Sequence, residues 1–418
     1  MFKINLFTNL FNTLSNLIPY FLFTRIYVLD NVEDIIILRS FLLISVTFLV
    51  GGIPTAFNIH QKEIRKEHLY IIAIFILSIF LAILFISFIY NVKFIENFNK
   101  LSLLALAFLV IFELSIGYFK SLLRIKINLQ AAIIRFIFVL ISVVFVISQR
   151  ITLIKSTEAF LIPVIIGYLF STIYLLFRSS QLSSNNKRDL KLIKIFKSSI
   201  PHYLNVIIQS LISNIDRFVI VFNVLPIVLV DYDFVLLTIS FIFSLSVTPV
   251  TQLFHPYYMK EKEDLSKGRI VIKKLSEKLF NTQLKLIFPV SLFIYAMVYL
   301  GFASSLKPID LSIIIISIFL QSYILLSCSS VYYKEKDYLH TSITIFSALI
   351  YLSILPIATE ELGILGASLS RLIYVLLLLC SGFILNKKLK KSILNFKEYI
   401  FKPILKISIT LFTLNYFG

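Results

Sequence analysis

Residues 198–217 read SSIPHYLNVIIQSLISNIDR. In this apolar stretch Ser198, His202, Asn205 and Gln209 fall at i, i+4, i+7 and i+11. Ser213 and Asp216 carry the series on, with Arg217 beside it. At about 100° per residue these positions share one face of a helix. The start of the chain repeats the pattern: residues 5–16 read NLFTNLFNTLSN, and Asn5, Asn9, Asn12 and Asn16 keep the same spacing. Polar groups inside a bilayer are costly unless they meet one another or water. Two halves that turn matching polar stripes toward a shared interior are expected of a membrane transporter built from two repeats.

Composition fits that expectation. The chain has 418 residues, 58% of them hydrophobic, and a mean hydropathy of +0.92. Soluble domains are far more polar. A span needs about 20 mostly apolar residues. Windows of that kind lie at roughly 5–28, 35–57, 69–91, 101–122, 130–148, 158–177, 199–223, 232–254, 281–301, 310–331, 341–358 and 362–385. The fold class predicted is an all-α polytopic membrane protein, with about twelve transmembrane helices in two six-helix lobes around a central cavity. The lobes are expected at 1–178 and 199–386, joined by a basic cytoplasmic linker at 179–198 and followed by a basic cytoplasmic or interfacial tail at 387–418. Residues 403–418 read as an interfacial helix; a truncated further span is the minority reading.

The formal net charge is +18, from 40 Lys and Arg against 22 Asp and Glu. A basic balance can signal nucleic acid, but here the basic residues cluster between apolar spans, so no nucleic-acid partner is expected. They read as topology markers and contacts with anionic membrane lipids. With the N-terminus inside, the inner segments take most of them, among them Lys62, Arg65 and Lys66, Lys120, Arg124 and Lys126, and the runs 178–197, 260–278 and 387–406. Both termini are therefore expected in the cytoplasm of a bacterium whose cytoplasmic membrane the chain crosses many times. Cys328 and Cys380 lie in apolar segments and read as small buried hydrophobes. None of the five histidines pairs at metal-ligand spacing. GxxxxGK[ST], GxGxxG and GxSxG are all absent, so neither a cofactor nor catalysis is expected.

Charges within the spans are the candidates for chemistry. Arg39, Arg135, Arg217, Lys285 and Arg371 face only Glu113 and Asp216 at comparable depth. Each intramembrane charge costs about 2.5–3.5 kcal/mol on insertion scales. A net cationic interior suits an anionic substrate such as a pyrophosphate. The competing reading pairs Glu113 with Arg135 and Asp216 with Arg371, and lets the others snorkel to an interface. Adjacent helix positions point about 100° apart, so Asp216 and Arg217 are each expected to find a partner elsewhere. Asp216 either binds a coupling proton or cation, as Glu113 could, or anchors an arginine from another helix. Gly51, Gly52 and Pro54 are expected to break the second span, and Gly363, Gly366, Ala367 and Ser368 to give the last span a close-packing face.

Four segments together resemble the Wzx-type polysaccharide (O-antigen) flippases of the multidrug/oligosaccharidyl-lipid/polysaccharide exporter superfamily. They are a basic stretch leading into Ser199-Ile200-Pro201 with Asp216-Arg217 beyond it, Thr24-Arg25-Ile26 closing the first span, Pro249 to Pro256 running into a basic loop, and Gly363-Ile364-Leu365-Gly366-Ala367 opening the last span. The chain departs from that pattern at Asp30-Asn31-Val32-Glu33-Asp34, which lacks the usual glycine. The resemblance implies an undecaprenyl-diphosphate-linked glycan moved from the inner to the outer leaflet for surface polysaccharide synthesis. It implies a polysaccharide polymerase and other pathway proteins as further partners. The pyrophosphate would meet Arg39, Arg135, Arg217 and Arg371, with Arg25 at the outer mouth, while Asn12, Asn16, Asn205 and Gln209 supply polar contacts.

The rival from another class is a polytopic glycosyltransferase or polymerase using outer-loop acids, with Asp30, Glu33 and Asp34 in the first outer loop and Asp231 and Asp233 in the fourth. A polar turn capping the second span is the preferred reading of the first group, and the outer loops are too short for a catalytic lobe. A drug or cation antiporter of the same superfamily should show an acidic cavity.

Overall fold

The computed structural model describes residues 2–26, 32–60, 64–89, 100–148, 156–181, 192–242, 281, 285–286, 288–301, 303–321 and 337–388. Asp30, Pro249, Pro256, Cys328, His255 and the tail from 389 onward lie outside them. Among the described residues every regular element is a helix. A lipid-embedded backbone must satisfy its own N–H and C=O groups, and a helix does so within one segment.

In chain order the helices are α1 (Phe2–Ile26), α2 (Val32–Val50), α3 (Ile53–Ile59), α4 (Lys66–Ile89), α5 (Lys100–Ser121), α6 (Ile125–Ser148), α7 (Ser156–Ser180) and α8 (Leu192–Asn223). They continue as α9 (226–242), α10 (Phe288–Tyr299), α11 (Pro308–Gln321), α12 (Asp337–Leu362) and α13 (Ile364–Lys388). Every apolar window read from the sequence holds one of them. Six, within α5, α6, α7, α8, α12 and α13, are long and apolar enough to cross a membrane over their described lengths. Their outward faces are apolar: Ile137, Ile141, Val144 and Phe145 line one exposed stripe of α6. Cys380 is exposed on α13 instead of buried, which costs a weakly polar thiol little when its surroundings are lipid.

The chain divides into two compact units, Lys3–Ser210 and Leu211–Gly418. In the first, α5 packs on α2, α3, α4, α6 and α7. The expected break in the second span is present: α2 ends at Val50, Gly51 takes φ +41°, and α3 restarts with Pro54 in its first turn. Gly52 lies against α8 so closely that a Cβ there would stand 2.4 Å from the Ser199 carbonyl oxygen. The α5–α6 turn closes with Arg124 N–H donating to Phe119 O at 2.9 Å, and it places Leu123 at φ +56°. In the second unit α13 packs on α12 and α11. Gly363 terminates α12 at φ +59°, a left-handed C-cap. A Cβ on Gly366 would sit 1.8 Å from Ala358 O, so the small-residue face expected there is in use.

Hydroxyls on the spans mostly satisfy themselves. Thr8, Ser15, Thr24, Thr47, Ser142 and Ser171 each donate to the carbonyl four residues back. Such back-bonding makes small polar residues tolerable in lipid. The larger polar and charged groups need partners from other helices, and these gather in two clusters.

Candidate functional site

The first cluster lies in the first unit and centres on Arg135 of α6, which is 2% exposed. Its Nη2 donates to Asn16 Oδ1 on α1. The guanidinium lies 3.8 Å from the Tyr168 ring centroid on α7 and 5.4 Å from that of Phe112 on α5. The Tyr168 hydroxyl also reaches Asn16 Oδ1, at 3.5 Å. Three helices thus hold the arginine of a fourth by an amide and two aromatic faces. Gly167 makes the α6–α7 approach possible, since a Cβ there would stand 2.4 Å from Val139. The expected Glu113 pairing is not made. Glu113 is half-buried on α5 and acts on Arg135 electrostatically, yet no ion pair joins them among the described residues. Among the described residues Arg135 Nε has no hydrogen-bond partner, and neither has Asn12 Oδ1. An arginine is rarely buried without a carboxylate. This one presents a delocalised cation with a spare donor among polar and aromatic side chains, which is the donor set an oxyanion takes.

The second cluster lies in the second unit and, among the described residues, balances two arginines against two aspartates. Arg217 Nε donates to Asp233 Oδ1 at 2.5 Å, and its Nη1 to Asp216 Oδ1 at 3.3 Å and Ser213 O at 2.5 Å. Asp216, 0% exposed, also accepts from Tyr232 at 2.7 Å and from Arg371 Nη1 at 3.2 Å. Arg371 Nη2 extends the network to Gln321 Oε1 at 3.5 Å. Two arginines therefore meet two aspartates. The pairing of Asp216 with Arg371 read from the sequence is present. Asp216 and Arg217 each have the expected partner on another helix, and the long guanidinium also folds back along α8 to Asp216. The tighter contact is still with another helix.

Asp231 and Asp233 are not in an outer loop. Pro226 starts α9 well before them, and both are buried, 3% and 0% exposed. Asp231 accepts from the Ser305 N–H at 3.0 Å and its hydroxyl at 2.7 Å. Both carboxylates have structural partners, so the site that the enzymatic rival needs is absent at these positions. Tyr168, Phe112, Tyr232 and Gln321 were not singled out by spacing, since aromatics and a lone glutamine in apolar helices carry no periodic signal.

The remaining candidates are dispersed. Arg39 is half-buried, 5.1 Å above the Tyr20 ring. Arg25 lies in the last turn of α1. Gln209 donates to Asn205 Oδ1 at 3.5 Å, one turn apart on α8. No group of His, Cys, Asp and Glu among the described residues could hold a metal.

Solved structures share this architecture. A multidrug-resistance transporter of the MATE family, in the MOP superfamily, was solved in an outward-facing conformation. It is 13% identical with a TM-score of 0.61, over 94% of this chain and 95% of that one. A MATE transporter of Vibrio cholerae is 12% identical with a TM-score of 0.60, over 94% and 96%. A MOP superfamily transporter of Pyrococcus furiosus, whose binding pocket has reverse polarity suggesting a different function, is 13% identical with a TM-score of 0.59, over 94% and 96%. The fold is the one these transporters share. No family model and no curated protein matches the sequence. At such identities the likeness carries architecture and leaves the cargo to be argued from side chains.

Proposed function

We propose that the chain carries an anionic lipid-linked glycan, of the undecaprenyl-diphosphate class, from the inner to the outer leaflet of a bacterial cytoplasmic membrane by alternating access. Both termini would lie in the cytoplasm, and the flipped glycan would pass to a polymerase. The observation that carries the reading is Arg135: buried, in no ion pair with a carboxylate among the described residues, and holding an Nε donor without a partner there, beside Asn16 and Tyr168. A pyrophosphate oxygen accepts a charge-assisted hydrogen bond from such a donor. Arg217 and Arg371 already have their charge met by Asp216 and Asp233, so they shape the second unit and Arg135 takes the cargo. Glu113, near Arg135 and outside any ion pair among the described residues, is the candidate ion-coupling group. The pocket of reverse polarity in the Pyrococcus furiosus protein supports the view that pocket charge can be recast on this fold to suit another cargo. The Wzx-type resemblance supplies the glycan.

The test uses a strain lacking this chain, complemented with the native sequence or with Arg135→Met, and follows labelled undecaprenyl-diphosphate glycan across the two leaflets. Retention of fully assembled glycan on the inner leaflet, in both the empty strain and the variant, is expected. Failure to assemble the glycan would replace this reading with a glycosyltransferase. Glycan that reaches the outer leaflet but stays unjoined would replace it with a polymerase.

A further inference from the structure

One end of the first unit gathers cations that no described carboxylate pairs with. Tyr70 meets Ser179 hydroxyl to hydroxyl at 2.5 Å, setting the start of α4 beside the end of α7. The rings of Phe75 and Phe196 stand 5.8 Å apart, edge to face, setting the start of α8 beside α4. This packing brings Lys66, Arg178, Lys194 and Lys197 to one end. Lys194 and Lys197 are exposed, Lys66 donates only to Ser180 O, and Arg178 only to Tyr174 and Gln181. None of the four has an ion pair among the described residues, and Glu67 is the one acidic side chain described at this end. The faces beside the lysines are apolar and open. Ile193 is 73% exposed, Ile74 64%, Ile200 56% and Phe75 50%. Ile193, Lys197 and Ile200 lie on one face of α8, at i, i+4 and i+7.

We propose that this face, where Phe75 and Phe196 meet between α4 and α8, is a binding site for one anionic glycerophospholipid. Its headgroup phosphate meets Lys194 and Lys197, and an acyl chain lies over Ile74, Phe75 and Ile200. Every lipid-facing surface is covered by some lipid; lysines with no ion pair among the described residues, on an otherwise apolar face, make this one selective for negative charge. Lysine ammonium groups reach a headgroup while their stems stay on the apolar wall, and each basic group near an anionic surface favours it about fivefold. The site is independent of the cargo reading, because it needs only that α4 and α8 face lipid.

The test reconstitutes the full chain into vesicles of phosphatidylcholine doped with phosphatidylglycerol, extracts it gently, and counts retained lipids by mass spectrometry. The native chain is expected to retain phosphatidylglycerol well above its share of the vesicle. Lys194→Gln with Lys197→Gln should lower that enrichment about fivefold for each lysine removed. Lys194→Arg with Lys197→Arg should keep it, and so should Arg124→Gln with Lys126→Gln at the neighbouring α5–α6 turn. Retention in proportion to the vesicle, or enrichment that survives the double Gln variant, overturns the proposal. Loss of enrichment only in the Arg124 and Lys126 variant overturns the location.

Discussion

Arg371 on α13 reaches Asp216 on α8 at 3.2 Å, and Asp216 is fully buried. The pair ties two helices of the second unit far apart in sequence, and Tyr232 and Arg217 fill the remaining acceptor capacity of the carboxylate. Breaking one side of a buried pair costs about 3–5 kcal/mol, because the other charge is left unanswered. Arg371→Met should therefore lower the melting temperature of the purified protein sharply, and so should Asp216→Asn. The double variant should recover more than half of the loss, since no lone charge remains. Losses that simply add would mean that the two residues are not energetically coupled.

Arg135 should behave in the opposite way. Its charge is buried beside Asn16 and two rings, with no ion pair among the described residues. Arg135→Met keeps the stem and removes the charge. The cation–ring contacts given up are worth about 0.5–2 kcal/mol, less than the several kcal/mol that burial of an unpaired ion costs. The variant should melt at or above the native temperature while the proposed glycan transport is abolished, the trade expected of a functional group held at a cost in stability. A variant that melts well below native would make Arg135 a structural residue.

The polar stripes showed in the sequence because helical spacing leaves a periodic trace, and Asn16 did prove to be a contact of the buried arginine. The break at Gly51 and the close-packed face at Gly366 showed because glycine marks positions where a Cβ has no room. Asp231 and Asp233 were misplaced for a physical reason. Asp231 depresses hydropathy, so the window opens just after it at 232, whereas the helix starts at Pro226, a residue suited to a first helical turn. Their charges vanish into contacts with Arg217 and Ser305 that only the fold brings close. The balance of Arg217 and Arg371 against Asp216 and Asp233 among the described residues is therefore hidden in the sequence, which overstates how many arginines stand uncompensated.

Leu123 occupies the left-handed region at φ +56° in the α5–α6 turn, a conformation costing an L-residue about 1–2 kcal/mol. Its side chain is exposed, so little packing offsets that strain. Leu123→Gly should raise the unfolding free energy by about 1 kcal/mol, the glycine preference at a helix C-terminus outweighing its greater freedom when unfolded. Denaturant titration in detergent micelles reads the change directly. A decrease would mean that the exposed leucine contributes more through lipid contact than the backbone loses.

The break after α2 leaves carbonyls without intrahelical donors, and Tyr203 of α8 answers one of them, its hydroxyl donating to Phe48 O. Gly52 lets α8 come that close, with Tyr203 N 2.6 Å from where a Cβ would stand. The two contacts make separate demands on the same seam. Tyr203→Phe removes one hydrogen bond from a half-exposed site and should cost about 1 kcal/mol. Gly52→Ala forces backbone against backbone, which neither helix can relieve by a rotamer change, and should cost more, about 1–3 kcal/mol. Melting curves of the two single variants and the double variant decide the point. If Gly52→Ala has already pushed α8 away, adding Tyr203→Phe should cost almost nothing further. Full additivity would show that the hydrogen bond survives the displacement, and that the seam at Gly52 is looser than its geometry implies.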